Sequence, residues 1–123
     1  MRATWRHQGI VVKDLAKGIE EYKHLGFRIR KRTFETISGR KLKIVKMRDG
    51  DKNEIELIEG DWEPHLAVTV DSRGHSLDEI WTKFIKKAGD TVAYWKNGGL
   101  RVFCFRDSSG NMIEVVLEKS RRS

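Results

Sequence analysis

Arg106-Asp107-Ser108-Ser109-Gly110-Asn111-Met112-Ile113-Glu114-Val115-Val116 has an imperfect copy earlier in the chain, Arg48-Asp49-Gly50-Asp51-Lys52-Asn53-Glu54-Ile55-Glu56-Leu57-Ile58. The two share Arg, Asp, Asn, Ile and Glu at equivalent places, each matched pair 58 positions apart. Asp, Gly and Asn between apolar runs mark a hairpin turn that opens into a strand. The repeat therefore predicts one hairpin built twice, with Glu56 and Glu114 as partners. Carried upstream, the same offset pairs His7, in His7-Gln8-Gly9-Ile10-Val11-Val12, with His65, in His65-Leu66-Ala67-Val68-Thr69-Val70. Each half then opens on a histidine and closes on a glutamate 49 residues later. Imidazole and carboxylate are good ligands for a divalent ion, and a twofold duplication is a natural way to bring two of each to one point.

At 123 residues the chain has the size of a single domain, 1–123, too short for two independent cores. Module one is expected over 1–60, module two over 65–118, with a basic tail at 119–123. Hydrophobic residues make up 38% and charged residues 35%, a composition that points away from disordered and membrane chains. No apolar run approaches the roughly 20 residues that cross a bilayer, and no signal-peptide core opens the chain, so the expected location is cytoplasmic. The net charge of +7 favours anionic partners. Basic residues crowd Arg28, Arg30, Lys31 and Arg32, then Arg40, Lys41, Lys43 and Lys46. No nucleic-acid-binding motif accompanies them, so the reading is a solvated basic face or one that attracts an acidic small molecule. The lone Cys104, in Val102-Phe103-Cys104-Phe105, reads as a small strand residue.

Taken in order, Trp5 to Val12 alternates as a strand. Asp14 is placed to cap a helix over Leu15 to Leu25 that Gly26 ends. Phe27 to Phe34 is a strand with one basic face, Ser38-Gly39 a turn, Leu42 to Met47 a third strand and Glu54 to Ile58 a fourth. After Gly60-Asp61-Trp62-Glu63-Pro64 the order recurs. His65 to Val70 is a strand, and Ser76 caps a helix carrying Leu77, Ile80, Trp81, Phe84, Ile85 and Ala88. Strands follow at Thr91 to Trp95, Leu100 to Arg106 and Met112 to Leu117, with an Asn97-Gly98-Gly99 turn between the first two. The fold class expected is α+β, with two paired βαβββ modules forming a cupped, mostly antiparallel eight-stranded sheet. The helices do not align at the 58-residue offset.

Parity decides what Glu56 can do. Glu54, Glu56 and Ile58 share one face of their strand and Ile55 and Leu57 the other. If Ile55 and Leu57 meet the helix, Glu56 points to the opposite side, toward His7 or toward solvent. His24 and His75 fall outside the repeat and read as surface residues. Asp49, Asn53, Asp107 and Asn111 read as turn scaffolding.

His7-x-Gly9-Ile10-x-Val12-x-Asp14-Leu15, Tyr22-x-x-Leu25-Gly26-Phe27 and Phe105-x-Asp107-x-x-Gly110-Asn111-x-Ile113-Glu114 resemble the vicinal oxygen chelate superfamily, the glyoxalase, bleomycin resistance and extradiol dioxygenase fold. The resemblance implies a metal site at His7, Glu56, His65 and Glu114, with the full ligand set most similar to that of glyoxalase I, and a cup often completed in a homodimer. The ion it implies is Zn, Ni, Co, Mn or Fe. It also implies a lyase or isomerase in which the metal holds two neighbouring oxygens of a 2-oxoaldehyde–thiol hemithioacetal and stabilises an enediolate while a carboxylate moves the proton. Glu114 is the residue placed in that catalytic role, with Glu56 as its symmetric alternative. The basic strand Arg28 to Arg32 would receive an anionic part of the substrate. The resemblance keeps two alternatives open: an acyl-CoA epimerase such as methylmalonyl-CoA epimerase, which shares the enolate chemistry, and a metal-free protein of the same fold that binds a small drug or metabolite.

Overall fold

The structure, a computed structural model, describes residues 2–71, 79, 91–97 and 100–118. In chain order its elements are β1 (Arg2–Val11), α1 (Leu15–His24), β2 (Arg28–Ile37), β3 (Arg40–Arg48), β4 (Glu54–Glu59), β5 (His65–Asp71), β6 (Thr91–Asn97), β7 (Leu100–Arg106) and β8 (Met112–Glu118). The described chain divides into two compact units. His7–His65 form one, and the first residues of β1 with the chain from Leu66 onward form the other.

In the His7–His65 unit the strands lie in the order β2-β3-β4-β1. The β2/β3 and β3/β4 ladders are antiparallel, and β1 runs parallel to β4 with Gly9 opposite Glu56. Helix α1 starts where Asp14 accepts a hydrogen bond from Lys17 N at 3.2 Å, and ends at Leu25 and Gly26, whose φ of 102° suits glycine. The helix is covered on one side by a core of Ile19, Val45, Met47 and Leu57, with Ile10, Val12, Tyr22 and Ile55 packed around it. Burying a side chain of this size stabilises by roughly 1.5–3 kcal/mol. The condition set by parity is thereby met: Ile55 and Leu57 join the helix, and Glu56 lies on the opposite face of β4.

In the other unit the order is β5-β8-β7-β6, with β5 parallel to β8 and the remaining ladders antiparallel. Its core is Val70, Phe103, Val115 and Leu117, with Val68, Phe105 and Ile113 against it. Cys104 is buried in β7 opposite Glu114, the place of a small strand residue.

The two hairpins match bond for bond. Asp49 Oδ1 accepts from Asp51 N and Asn53 N at 2.9 and 2.8 Å, and Asp107 Oδ1 accepts from Ser109 N and Asn111 N at 2.9 and 2.9 Å. Asn53 and Asn111 also donate their side-chain amides to the same aspartates. Lys52 and Gly110, at equivalent places, both take positive φ, 66° and 87°. The Asp and Asn residues are turn scaffolding, as their composition suggested.

The expected fold class, two paired βαβββ modules, is corrected by the described elements. They include one helix, so the order β-α-β-β-β is seen once, and the second half is described as β5, β6, β7 and β8. Apart from Glu79, the helix expected over Leu77 to Ala88 with its Ser76 cap lies outside the described residues, as do the Gly98-Gly99 turn residues, His75 and the basic tail at 119–123. The 58-residue offset is carried by the backbone ladders and turn hydrogen bonds, which tolerate no slip. The two apolar stripes are related by another offset, 62 residues, in Leu15/Leu77, Ile19/Trp81 and Tyr22/Phe84.

Candidate metal centre

Among the described residues the buried polar or charged side chains are His7, Glu56, His65 and Glu114, between 3% and 9% exposed. A buried ionisable group is expensive unless something compensates it. These four are also the residues singled out by the 58-residue repeat.

Three of them come together. His7, Glu56 and His65 each present a ligand atom within 4.8 Å of the others. Parallel pairing of β1 with β4 sets Gly9 opposite Glu56, and alternation along β1 puts His7 on the same face as Gly9. His65, the first residue of β5, lays its ring over Gly9. A Cβ at Gly9 would lie 2.2 Å from His65 Cε1 and 2.5 Å from its Nδ1, so only glycine fits beneath the ring. Glu114 is on β8, opposite Ala67 and Cys104, and is not a member of the triad.

The two imidazoles meet through Nε2, 3.2 Å apart. The His65 ring is held on its other edge by a hydrogen bond, Nδ1 lying 3.0 Å from Glu63 O, while His7 Nδ1 lies 3.3 Å from Glu56 Oε2. A carbonyl oxygen only accepts, so His65 Nδ1 carries the proton and, in the neutral ring, Nε2 presents a lone pair. The approach of His7 Nδ1 to Glu56 Oε2 is an electrostatic contact and not a hydrogen bond. The 3.2 Å between the two Nε2 atoms suits a hydrogen bond from His7 Nε2–H to the His65 lone pair, and it equally suits two lone pairs facing one ion. Ligands about 2.0–2.2 Å from one ion are about 2.8–3.6 Å apart, from octahedral to tetrahedral angles, so the pair fits a metal, and the contact at His65 Nδ1 is of the kind that orients a metal-binding histidine. The residues His7, Glu56 and His65 can chelate a divalent metal.

The surrounding charge is basic. Lys46, directly opposite Glu56 in the β3/β4 ladder, places Nζ 3.7 Å from Glu56 Oε2. Burial alone pushes the Glu54 carboxyl up, but the hydrogen bond and charge of Arg30, helped by Lys46, hold it below its ordinary value. Arg48 reaches the same carboxylate at 3.6 Å.

Two neighbours of the site were not singled out in the sequence. Gly9 could have been found from its place two residues after His7, on the same strand face. Lys46 could have been counted out from the hairpin: a turn over Asp49 to Asn53 pairs Arg48 with Glu54 and hence Lys46 with Glu56. His24, in the last turn of α1, is exposed as expected.

No protein-family model and no curated protein sequence matches the chain. Solved structures do. A glyoxalase/bleomycin resistance protein/dioxygenase superfamily member from Vibrio splendidus superposes with a TM-score of 0.68 at 11% identity, covering 94% of this chain and 100% of that one. A mutant glyoxalase I from Zea mays gives 0.62 at 20% identity over 94% of this chain, and a mutant 4-hydroxymandelate synthase from Streptomyces coelicolor 0.55 at 15% over 99%. This chain spans 43% and 50% of those two longer proteins. The fold is therefore like that of the glyoxalase, bleomycin resistance and dioxygenase superfamily, whose activities differ. At these identities the likeness is one of fold, and glyoxalase I does not stand out within it.

Proposed function

We propose that the protein is a metal-dependent lyase or isomerase of glyoxalase I type, acting on the hemithioacetal of a 2-oxoaldehyde and a thiol. The observation that carries the reading is the pair of buried Nε2 atoms 3.2 Å apart, with the His65 ring anchored at Nδ1 and the Glu56 carboxylate beside His7. His7 and His65 would hold the ion with Glu56, and Glu114 is proposed as the fourth ligand on its equivalence to Glu56 in the repeat. The ion would supply Lewis acidity toward two neighbouring substrate oxygens, stabilising the negative charge that develops when a carbon-bound proton leaves. Glu114 takes that proton and returns it to the adjacent carbon, with Glu56 as the symmetric alternative. Burial of both carboxylates excludes water that would otherwise compete for the proton. Arg28 and Arg32, exposed on β2, are proposed to hold an anionic part of the thiol. The assembly proposed is a homodimer in the cytoplasm; among the described residues no helix is long and apolar enough to cross a membrane.

One observation favours a second reading, metal-free binding of a small molecule: Glu56 already has Lys46 as a cationic partner, with His7 beside it. Elemental analysis and an assay of methylglyoxal with several thiols separate the two. The expected outcome is a stoichiometric divalent metal, thioester formation, and loss of both in His7→Ala. Protein loaded with metal yet inert toward every thiol tested would sink the glyoxalase reading; deuterium exchange at the 2-position of methylmalonyl-CoA would then point to the epimerase. Ligand binding untouched by chelation and by Glu56→Gln would establish the metal-free one.

A further inference from the structure

Lys46 is the cation that the cross-strand register delivers to the triad. Its side chain is 19% exposed, and its Nζ lies 3.7 Å from Glu56 Oε2 on the face of β4 that also carries Glu54. The other cations on that face are engaged elsewhere, since Arg30 and Arg48 both contact the Glu54 carboxylate. Glu54 is thereby shared between two guanidinium groups, and it also feels the charge of Lys46. Glu56 is the carboxylate that Lys46 contacts directly, and Glu56 also faces His7 Nδ1.

A divalent ion at the triad changes this balance. With neutral imidazoles, the ion and Lys46 together exceed Glu56 by about two positive charges in a buried setting, and excess charge persists even with Glu114 as a further ligand. A half-buried ammonium whose carboxylate is shared with a metal is an anion site beside the metal's open positions.

We propose that Lys46 is a specificity-determining residue, selecting ligands in which one of two vicinal oxygens carries negative charge. The class is small 2-hydroxy and 2-oxo carboxylates, and any substrate that develops an oxyanion at that place. The oxygen on the ion and its neighbour on the next carbon are close enough for the ammonium to reach the charged one while the metal holds the pair. This rests on the metal-centre reading above and adds a charge preference that the triad alone does not give.

The test uses the full-length protein loaded with cobalt(II), whose visible spectrum reports the ligand sphere. Glycolate and hydroxyacetone serve as probes, alike in size, with vicinal oxygens that are anionic in the first and neutral in the second. Lys46→Met is expected to weaken glycolate binding about tenfold and hydroxyacetone binding less than about twofold, the loss of one charge-assisted contact. Lys46→Arg, which keeps the charge and serves as the folded control, should retain most of the preference. Equal weakening of both probes in Lys46→Met, or none, overturns the proposal while the cobalt spectrum still upholds the metal centre. Wild-type protein that takes up no cobalt overturns the metal centre itself, and this inference with it.

Discussion

Gly9 shows how little room the site leaves at the level of single residues. The space a methyl group would fill is taken by the His65 ring, whose Cε1 would stand 2.2 Å from it. Gly9→Ala must push the ring or the strand aside, a small-to-large change in a packed site that costs about 1–3 kcal/mol. Displacing His65 also breaks its contact with Glu63 O and separates the two Nε2 atoms. The expected result is a folded protein by circular dichroism with at least about tenfold weaker cobalt binding in a spectroscopic titration, the size of loss typical when metal-ligand orientation is disturbed. Unchanged affinity would mean that His65 does not ligate from this rotamer. Glu56 is the other residue whose surroundings define it, with Oε2 near both His7 Nδ1 and Lys46 Nζ.

The hairpins after β3 and β7 are the elements most completely specified by local chemistry. Hydrogen bonds from the backbone and side chain of Asn53 hold Asp49 below its ordinary value, and those from Asn111 do the same for Asp107. A carboxyl whose folded-state value is depressed contributes stability above its unfolded value, and that contribution is lost as pH falls through the folded one. Urea midpoints should therefore decline as pH drops below about 4, and the decline should be shallower in Asp49→Asn/Asp107→Asn, which cannot titrate. An acid limb identical in the two proteins would show that these turns do not report on unfolding. The same elements explain what could be foreseen. The repeat, the strands, the cap at Asp14 and the parity of Glu56 are written in neighbouring residues and spacings, so they can be read from the chain. The contacts of Lys46 and the ring of His65 over Gly9 depend on which strands pair and in what register, information spread over tens of residues.

For the molecule, the division into two units makes the location of the triad informative. His7, Glu56 and His65 all belong to the His7–His65 unit. A metal bound there at about a hundredfold excess over its Kd stabilises the folded state by about 2.7 kcal/mol. Hydrogen exchange with and without zinc should show added protection in β1, β3 and β4, lost in His7→Ala; protection rising in β7 and β8 alone would place the ion elsewhere. One consequence reaches beyond binding. His7 and His65 are the first and last residues of their unit, so an ion gripped by both rings would fasten the two ends of that stretch together, as a buckle does a belt. Closing a loop of this length restricts the unfolded chain by about 4 kcal/mol on the scale used for disulfides. The chain carries one cysteine and so has no covalent fastener of its own. A removable ion would fill that place, tying how firmly this half holds its shape to how much metal its surroundings supply.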